Sequence, residues 1–109
     1  VCIDLKKDIQ ELIGDLTSQH ERFKRELQLS KQCNIKLIIL IQDEQVTCIN
    51  DLYTWYNWRL KKSPKATKGS TLAKMLYTIE NNTEDYNCQF IFTKKSECGA
   101  KIIELLTRQ

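Results

Sequence analysis

The chain has 109 residues, of which 41% are apolar and 28% are charged, and its formal net charge is +3. This length is that of one domain, so we treat residues 1–109 as a single domain. The apolar fraction excludes an intrinsically disordered chain, and three glycines with one proline exclude a collagen-like or low-complexity chain. The longest apolar run is too short to cross a bilayer. We therefore expect no membrane partner.

The five cysteines are odd in number and widely spaced, with no Cys-x-x-Cys pair. This pattern excludes a zinc ribbon and a thioredoxin-like redox motif. Free thiols are typical of a reducing compartment, so we expect a cytoplasmic protein. We interpret the cysteines as small buried apolar side chains.

In the N-terminal third of the chain, the spacing of apolar residues changes from the period of a strand to that of a helix. Apolar and other residues alternate over residues 1–6, which predicts a strand. From residue 7 to residue 32 the apolar positions follow a helical stripe. Gly14 and the pair Thr17-Ser18 weaken this stripe, so it predicts one bent helix or two shorter ones. Asn34 is suited to end the helix in the left-handed conformation.

Two further strands and three further helices follow. Residues 35–42 predict a buried central strand, and residues 88–93 predict a third strand. We expect a short helix over residues 51–57 capped by Asn50, a helix over residues 71–81 capped by Ser70, and a final helix beginning at Ser96. The final helix should point Ile102, Ile103, Leu105 and Leu106 inward. Alternation of strands and helices predicts an α/β fold with a largely parallel sheet. Because three strands make a narrow sheet, we expect N-terminal strands to be missing from this chain.

The first strand carries a motif with possible chemistry, Asp4-Leu5-Lys6. Two residues apart on a strand, Asp4 and Lys6 share one face. The carboxylate of Asp4 can bind Mg²⁺, and the backbone carbonyl of Leu5 can add an oxygen ligand. The amine of Lys6 can orient or deprotonate a water molecule. The same short pattern also occurs on solvated strands without any catalytic role.

The surrounding sequence makes the motif more specific. The stretches DLKKDIQEL, QHERFKREL and IKLIILIQDE resemble the XPF-like (excision-repair) nuclease domain of the PD-(D/E)xK superfamily. The small versions of this domain in bacteria and their phages are the most similar. Asp4, Leu5 and Lys6 stand where that family has Glu-Arg-Lys. The stretches DLYTWYNWR and CGAKIIELL extend the resemblance over nearly the whole chain.

The resemblance implies a three-layer α/β/α restriction-endonuclease-like core with a mostly parallel central sheet. It implies a Mg²⁺- or Mn²⁺-dependent DNA endonuclease of DNA repair or recombination, acting on branched or flap DNA, and a homodimer. Asp4 and Lys6 would be catalytic, and Asp4 with the Leu5 carbonyl would bind the metal. On the following helix, Gln19, Arg22 and Arg25 would bind DNA; the alternative is a solvated helix on which Glu21 pairs with Arg25.

Residues 59–68 contain five cations and no acidic residue, a composition that suits contact with phosphate. A solvated loop has the same composition. If the segment binds DNA, the contacting residues are Arg59, Lys61, Lys62, Lys65 and Lys68.

The sequence departs from the family pattern at three points, one of which is Leu5 in place of the usual Arg. No strand ending in Asp precedes Asp4, so the second metal carboxylate of the family has no counterpart, and Gln10 stands where the family tends to have an acidic residue. These departures favour an alternative function, a catalytically incomplete nuclease-fold module for DNA binding or dimerisation. A protein-interaction module without a nucleic-acid role is a third possibility.

Two further features have a structural and a functional interpretation. Trp55, Tyr56 and Trp58 precede Arg59, and aromatic rings beside cations can stack nucleic-acid bases. We expect Trp55 and one neighbour to cover the core instead, which leaves one ring available. His20 can contact phosphate, or it can pack or hydrogen-bond within the fold.

Overall fold

A three-stranded parallel sheet forms the centre of the molecule. The structure is a computed structural model that describes residues 1–108. The sheet has the order β1 (Cys2–Lys6), β2 (Leu37–Gln42), β3 (Cys88–Thr93), and both neighbouring pairs are parallel. Asp4 is the register partner of Ile39 on β2. The predicted α/β class and the parallel sheet are therefore confirmed.

Helices cover both faces of the sheet. Ile39 and Ile41 of β2 pack with helices α1 (Ile9–Leu16), α2 (His20–Gln32) and α3 (Gly69–Asn81). Ile38 and Leu40 point to the opposite face and pack with helix α4 (Cys98–Thr107). Since both faces of β2 are buried, its residues form the continuous apolar run that is typical of a central parallel strand.

The N-terminal helical region consists of two helices. The helical conformation is interrupted between Leu16 and His20. There the hydroxyl of Thr17 donates to the carbonyl of Ile13 at 2.8 Å. The hydroxyl of Ser18 donates to Gly14 in the same way. Such bonds compete with continuation of the helix, as the sequence predicted. Asn34, with φ of 57°, ends the second helix in the expected left-handed conformation.

The middle of the chain differs from prediction. Residues Ile49–Tyr53 form a 3₁₀ turn that follows Cys48, so Asn50 is not a cap and no α-helix spans residues 51–57. A second 3₁₀ turn follows at Trp58–Lys61. A 3₁₀ turn has too few residues to show a helical period, so hydrophobic periodicity does not reveal it in a sequence.

Gly69 explains why α3 begins earlier than predicted. A Cβ atom at Gly69 would lie within 2.5 Å of the carbonyl oxygen of Trp55 and closer still to that of Leu52. The helix therefore starts at the one residue that lets it touch the backbone of the first 3₁₀ turn. Its N-cap is Lys68, and the prediction that Ser70 is the cap is wrong.

The last helix also differs from prediction. It begins at Cys98, after a 3₁₀ turn at Lys95–Glu97 rather than at Ser96. Leu105 is buried and Ile102 is half-buried against the sheet, whereas Ile103 is 65% exposed and Leu106 is also exposed. The inward orientation predicted for Ile103 and Leu106 is wrong because one small sheet covers only one stripe of the helix.

All five cysteines are free thiols. Cys98 is buried and Cys88 is half-buried, but Cys2, Cys33 and Cys48 are exposed, so these three are not the core residues that we expected. No helix within residues 1–108 has the length and apolar character needed to cross a membrane.

Candidate functional site

The side chains of Asp4 and Lys6 lie on the same face of β1, as their spacing predicted. Lys6 Nζ lies 3.0 Å from Asp4 Oδ2, and it also contacts the carboxylate of Asp15 on α1. Only 8% of Lys6 is exposed, so this lysine is buried between two carboxylates. The site therefore has one more acidic group than the sequence motif alone contains.

Asp4, Lys6 and Asp15, which we call the triad, interact electrostatically, and this interaction determines the protonation state of Lys6. Burial by itself lowers the pKa of Lys6, but hydrogen bonds to Asp15 and Asp4 and the charges of these two residues outweigh burial and raise the pKa above 10.5. Lys6 is therefore an ammonium group at neutral pH. It can donate hydrogen bonds and balance negative charge, and it is not a base.

A cleft of about 390 Å³ opens beside the triad. Asp4, Lys6 and Asp15 line one part of it, and Gln19 and Arg22 line another part. The structure thus brings together the residues predicted from β1 and two of the three residues predicted from the following helix.

The third predicted helix residue, Arg25, is exposed on α2 and does not line the cleft. A helix has 3.6 residues per turn, so Gln19, Arg22 and Glu26 share the flank that faces β1, and Arg25 lies outside it. The pairing of Glu21 with Arg25 that we considered is replaced by a pair between Arg22 Nε and Glu26 Oε1 at 3.4 Å.

The residues of this site fit a hard divalent cation. Mg²⁺ takes oxygen ligands, keeps several waters and is commonly bound by one or two protein carboxylates. The carboxylates of Asp4 and Asp15 converge on one ammonium group, so both oxygen donors face the same small volume. Within residues 1–108 no group of three or more metal-ligating side chains occurs, so any further ligands are backbone oxygens, water or substrate.

The carbonyl of Leu5 is placed at the open edge of the sheet. The backbone N–H of Cys2 donates to Lys36, so the backbone groups of Cys2, Asp4 and Lys6 point toward β2. Those of Leu5 point away from β2, to the edge where no strand of residues 1–108 pairs. This carbonyl is free to act as the predicted oxygen ligand, while the side chain of Leu5 lies on the opposite face.

The basic segment of residues 59–68 lies outside the cleft. None of its five cations lines the cleft, and within the described chain none forms an ion pair. The segment is joined to the site region through Asn57, which is only 1% exposed. The side chain of Asn57 accepts from Gln10 Nε2 at 2.8 Å and donates to the carbonyl of Thr67 at 2.8 Å.

The hydrogen bond to Asn57 gives Gln10 a structural role. Gln10 lies on α1, the helix that also carries Asp15, and its amide oxygen is buried with no hydrogen-bond partner within residues 1–108. Gln10 therefore binds Asn57 only as a hydrogen-bond donor, through its amide N–H group. An acidic residue at this position could not donate the bond to Asn57.

The structure corrects two expectations about aromatic and histidine residues. Trp55 packs against the core, but both Tyr56 and Trp58 are more than half exposed, so two rings of the three are available rather than one. His20 is exposed and lines a groove between α2 and α3 on the other flank of α2 from the cleft. It neither packs in the core nor reaches the triad.

Asp15 and Asn57 are the two site-region residues that sequence reasoning missed. Asp15 has no signal in the local pattern, because only the packing of α1 on β1 brings it to Lys6. Asn57 has none either, because an asparagine between a strand and a helix is typical of a turn. No protein-family model, curated protein or solved structure matches this chain.

Proposed function

We propose that this chain is a metal-dependent DNA endonuclease domain that hydrolyses phosphodiester bonds at the Asp4–Lys6–Asp15 triad. The observation that supports this proposal most strongly is the convergence of two carboxylates on one buried ammonium beside an open cleft. An acidic pair with a lysine is the minimum set for binding a divalent cation next to a positive charge that can stabilise a phosphate.

The fold supports the same proposal at a coarser level. A parallel sheet with helices on both faces is compatible with a three-layer restriction-endonuclease-like core, which we propose for this chain. The triad begins on an edge strand, so a long duplex can approach it without passing through the core.

Each residue has a separate role in the proposed reaction. Asp4, Asp15 and the Leu5 carbonyl would hold Mg²⁺ or Mn²⁺, which when bound polarises the phosphate and lowers the pKa of a ligated water. The Lys6 ammonium donates a hydrogen bond that positions the attacking water and balances charge that develops on the phosphate. In hydrolysis the water oxygen bonds to phosphorus, one P–O ester bond breaks, the water proton goes to solvent and the leaving sugar oxygen is protonated.

Residues on α2 and in the basic segment would hold the DNA. Arg22 lines the cleft and can contact the scissile phosphate in a forked geometry, with Gln19 beside it. The predicted contact of Arg25 would be to a more distant phosphate because this residue lies outside the cleft. The cations of residues 59–68 would follow the flanking backbone and make binding sensitive to salt.

The test is nicking of supercoiled plasmid in Mg²⁺ and in Mn²⁺ by the wild-type chain and by Asp4→Ala. We expect nicking by the wild type and its loss in Asp4→Ala, with a cooperative thermal transition that shows the variant to be folded. Glu84→Ala is the matched control because Glu84 is an exposed acidic residue outside the cleft. Equal nicking by Asp4→Ala and wild type would overturn the proposal.

A second candidate function is DNA binding without cleavage. The observation that favours it is the close pairing of Lys6 with both carboxylates, which leaves them already neutralised in part by an internal cation. This candidate predicts salt-sensitive DNA binding that is the same with metal and with EDTA. A wild-type chain that binds plasmid but nicks it in neither ion would establish it over the nuclease.

A further inference from the structure

Three aromatic side chains stand on the surface of the segment between β2 and α3. Tyr53, Tyr56 and Trp58, which we call the aromatic surface, are 45%, 57% and 55% exposed. Two residues between them point inward: Trp55 packs on the core, and Asn57 is buried. The outward rings are therefore not part of the core. Clustered exposed apolar groups of this kind mark interaction sites.

The chain that follows the aromatic surface carries charge of one sign. From residue 52 to residue 79 the sequence has no acidic residue and six cations, five of which belong to the basic segment. None of the six forms an ion pair within residues 1–108. A ligand that matches this surface is a polyanion that also offers flat apolar faces.

Hydrogen bonds and a cation–π contact hold the segment that carries the rings. Asn57, between Tyr56 and Trp58, accepts from the backbone N–H of Arg59 at 3.0 Å as well as from Gln10, and it donates to Thr67. The guanidinium carbon of Arg59 lies 5.5 Å from the ring centroid of Trp58 and covers one side of the indole. A cation on one face of an indole fixes the ring and leaves the other face for stacking.

The aromatic surface adjoins the candidate site. Gln10, which anchors Asn57, and Asp15, which belongs to the triad, lie on opposite flanks of α1. Helix α1, which is about 10 Å across, therefore lies between the triad and the residue that anchors the aromatic surface.

We propose that Tyr56 and Trp58 stack the bases of an unpaired DNA strand while Arg59 and the lysines that follow contact its phosphates. A duplex hides the faces of its bases, so only a strand with unpaired bases can use both the rings and the cations. This inference rests on the proposed function for the choice of DNA as the nucleic acid. It does not require that the triad cleave DNA.

The test is fluorescence anisotropy in EDTA with a labelled oligothymidylate and with a blunt duplex of the same length. The variants are Trp58→Ala, Tyr56→Ala and the conservative Trp58→Phe. Ile103→Ala is the matched control, because it removes a 65%-exposed apolar side chain on α4, far along the chain from the aromatic surface. Melting temperatures establish that each variant is folded.

We expect each alanine variant to weaken oligothymidylate binding about tenfold. Trp58→Phe and Ile103→Ala should stay within about twofold of the wild type, and duplex binding should change little because the phosphate contacts remain. Equal losses on oligothymidylate and duplex, unchanged oligothymidylate binding, or a wild type that binds no oligothymidylate at low salt would each overturn the inference. Absence of oligothymidylate binding at low salt would favour a protein as the partner of the aromatic surface.

Binding in EDTA separates this inference from the proposed function, because the triad then holds no metal and cannot act on the strand. A chain that binds unpaired DNA through Trp58 yet never nicks plasmid would leave the inference standing while the nuclease proposal fails.

Discussion

Lys6 Nζ lies 3.0 Å from Asp4 Oδ2 and contacts Asp15 as well, so one ammonium joins strand β1 to helix α1 through two carboxylates. Because these carboxylates raise the pKa of Lys6 above 10.5, the ion pairs stabilise the fold throughout the neutral range. By linkage, their contribution is lost as the pH rises through the pKa of Lys6 in the folded state. Stability and the chemistry of the site therefore depend on the same residue.

Replacing Lys6 by Met should destabilise the protein by about 1–3 kcal/mol, because two partly buried carboxylates then lose their shared cation. Urea unfolding at neutral pH measures the effect. Lys7→Met is the control, since Lys7 is exposed and has no ion pair within residues 1–108. Equal unfolding midpoints for the two variants would refute the structural role of Lys6.

Cys88 should make the fold less stable in alkali. Burial, with smaller effects of Glu80 and Asp4, raises the pKa of its thiol from 9.0 to about 12. Above pH 9 the unfolded chain therefore loses this proton while the folded chain keeps it, so stability falls as the pH rises toward 12.

The measurement is the free energy of unfolding of wild type and Cys88→Ala against pH. We expect the wild type to lose about 1 kcal/mol more than Cys88→Ala between about pH 8 and pH 10. Cys33→Ala, which removes an exposed thiol, should follow the wild type. Parallel curves for wild type and Cys88→Ala would show that the thiol is not held neutral by the fold.

Gly69→Ala should destabilise the protein by about 2 kcal/mol or more, because the new methyl group would overlap the carbonyl oxygens of Leu52 and Trp55. Gly99→Ala is the matched control: a Cβ there meets no atom within 4 Å, and alanine favours a helix by up to about 1 kcal/mol. Thermal unfolding of both variants measures the contrast. Similar melting temperatures would contradict the close approach of α3 to the first 3₁₀ turn.

The sequence predicted the strands better than the site. Residues 35–42 and 88–93 are short, mainly apolar stretches, so hydropathy predicted them as strands, and the structure has strands at Leu37–Gln42 and Cys88–Thr93. The same reasoning placed Asp4 beside Lys6, because the period of a strand is fixed. It also found Gln19 and Arg22, through the family resemblance and the period of a helix.

What the sequence could not predict depends on contacts between distant residues. Asp15 reaches Lys6 only because α1 folds back along β1, and nothing in the local pattern distinguishes it from Asp8 or Glu11. The two 3₁₀ turns are shaped by the contact at Gly69 and by the bonds of Asn57, both of which join parts of the chain that are far apart in sequence. Exposure of Ile103 depends on how wide the sheet is beneath α4.

The most direct test of the central claim is the plasmid-nicking rate of Asp15→Asn in Mn²⁺, measured beside wild type and Glu11→Gln. Glu11 is the matched control because it lies one turn away on the same helix and does not contact Lys6. If Asp4 and Asp15 act as a pair, Asp15→Asn should lose about 100-fold in rate while Glu11→Gln keeps the wild-type rate. Nicking by Asp15→Asn at the wild-type rate would show that the triad is a structural ion pair and that any cleavage occurs without the second carboxylate.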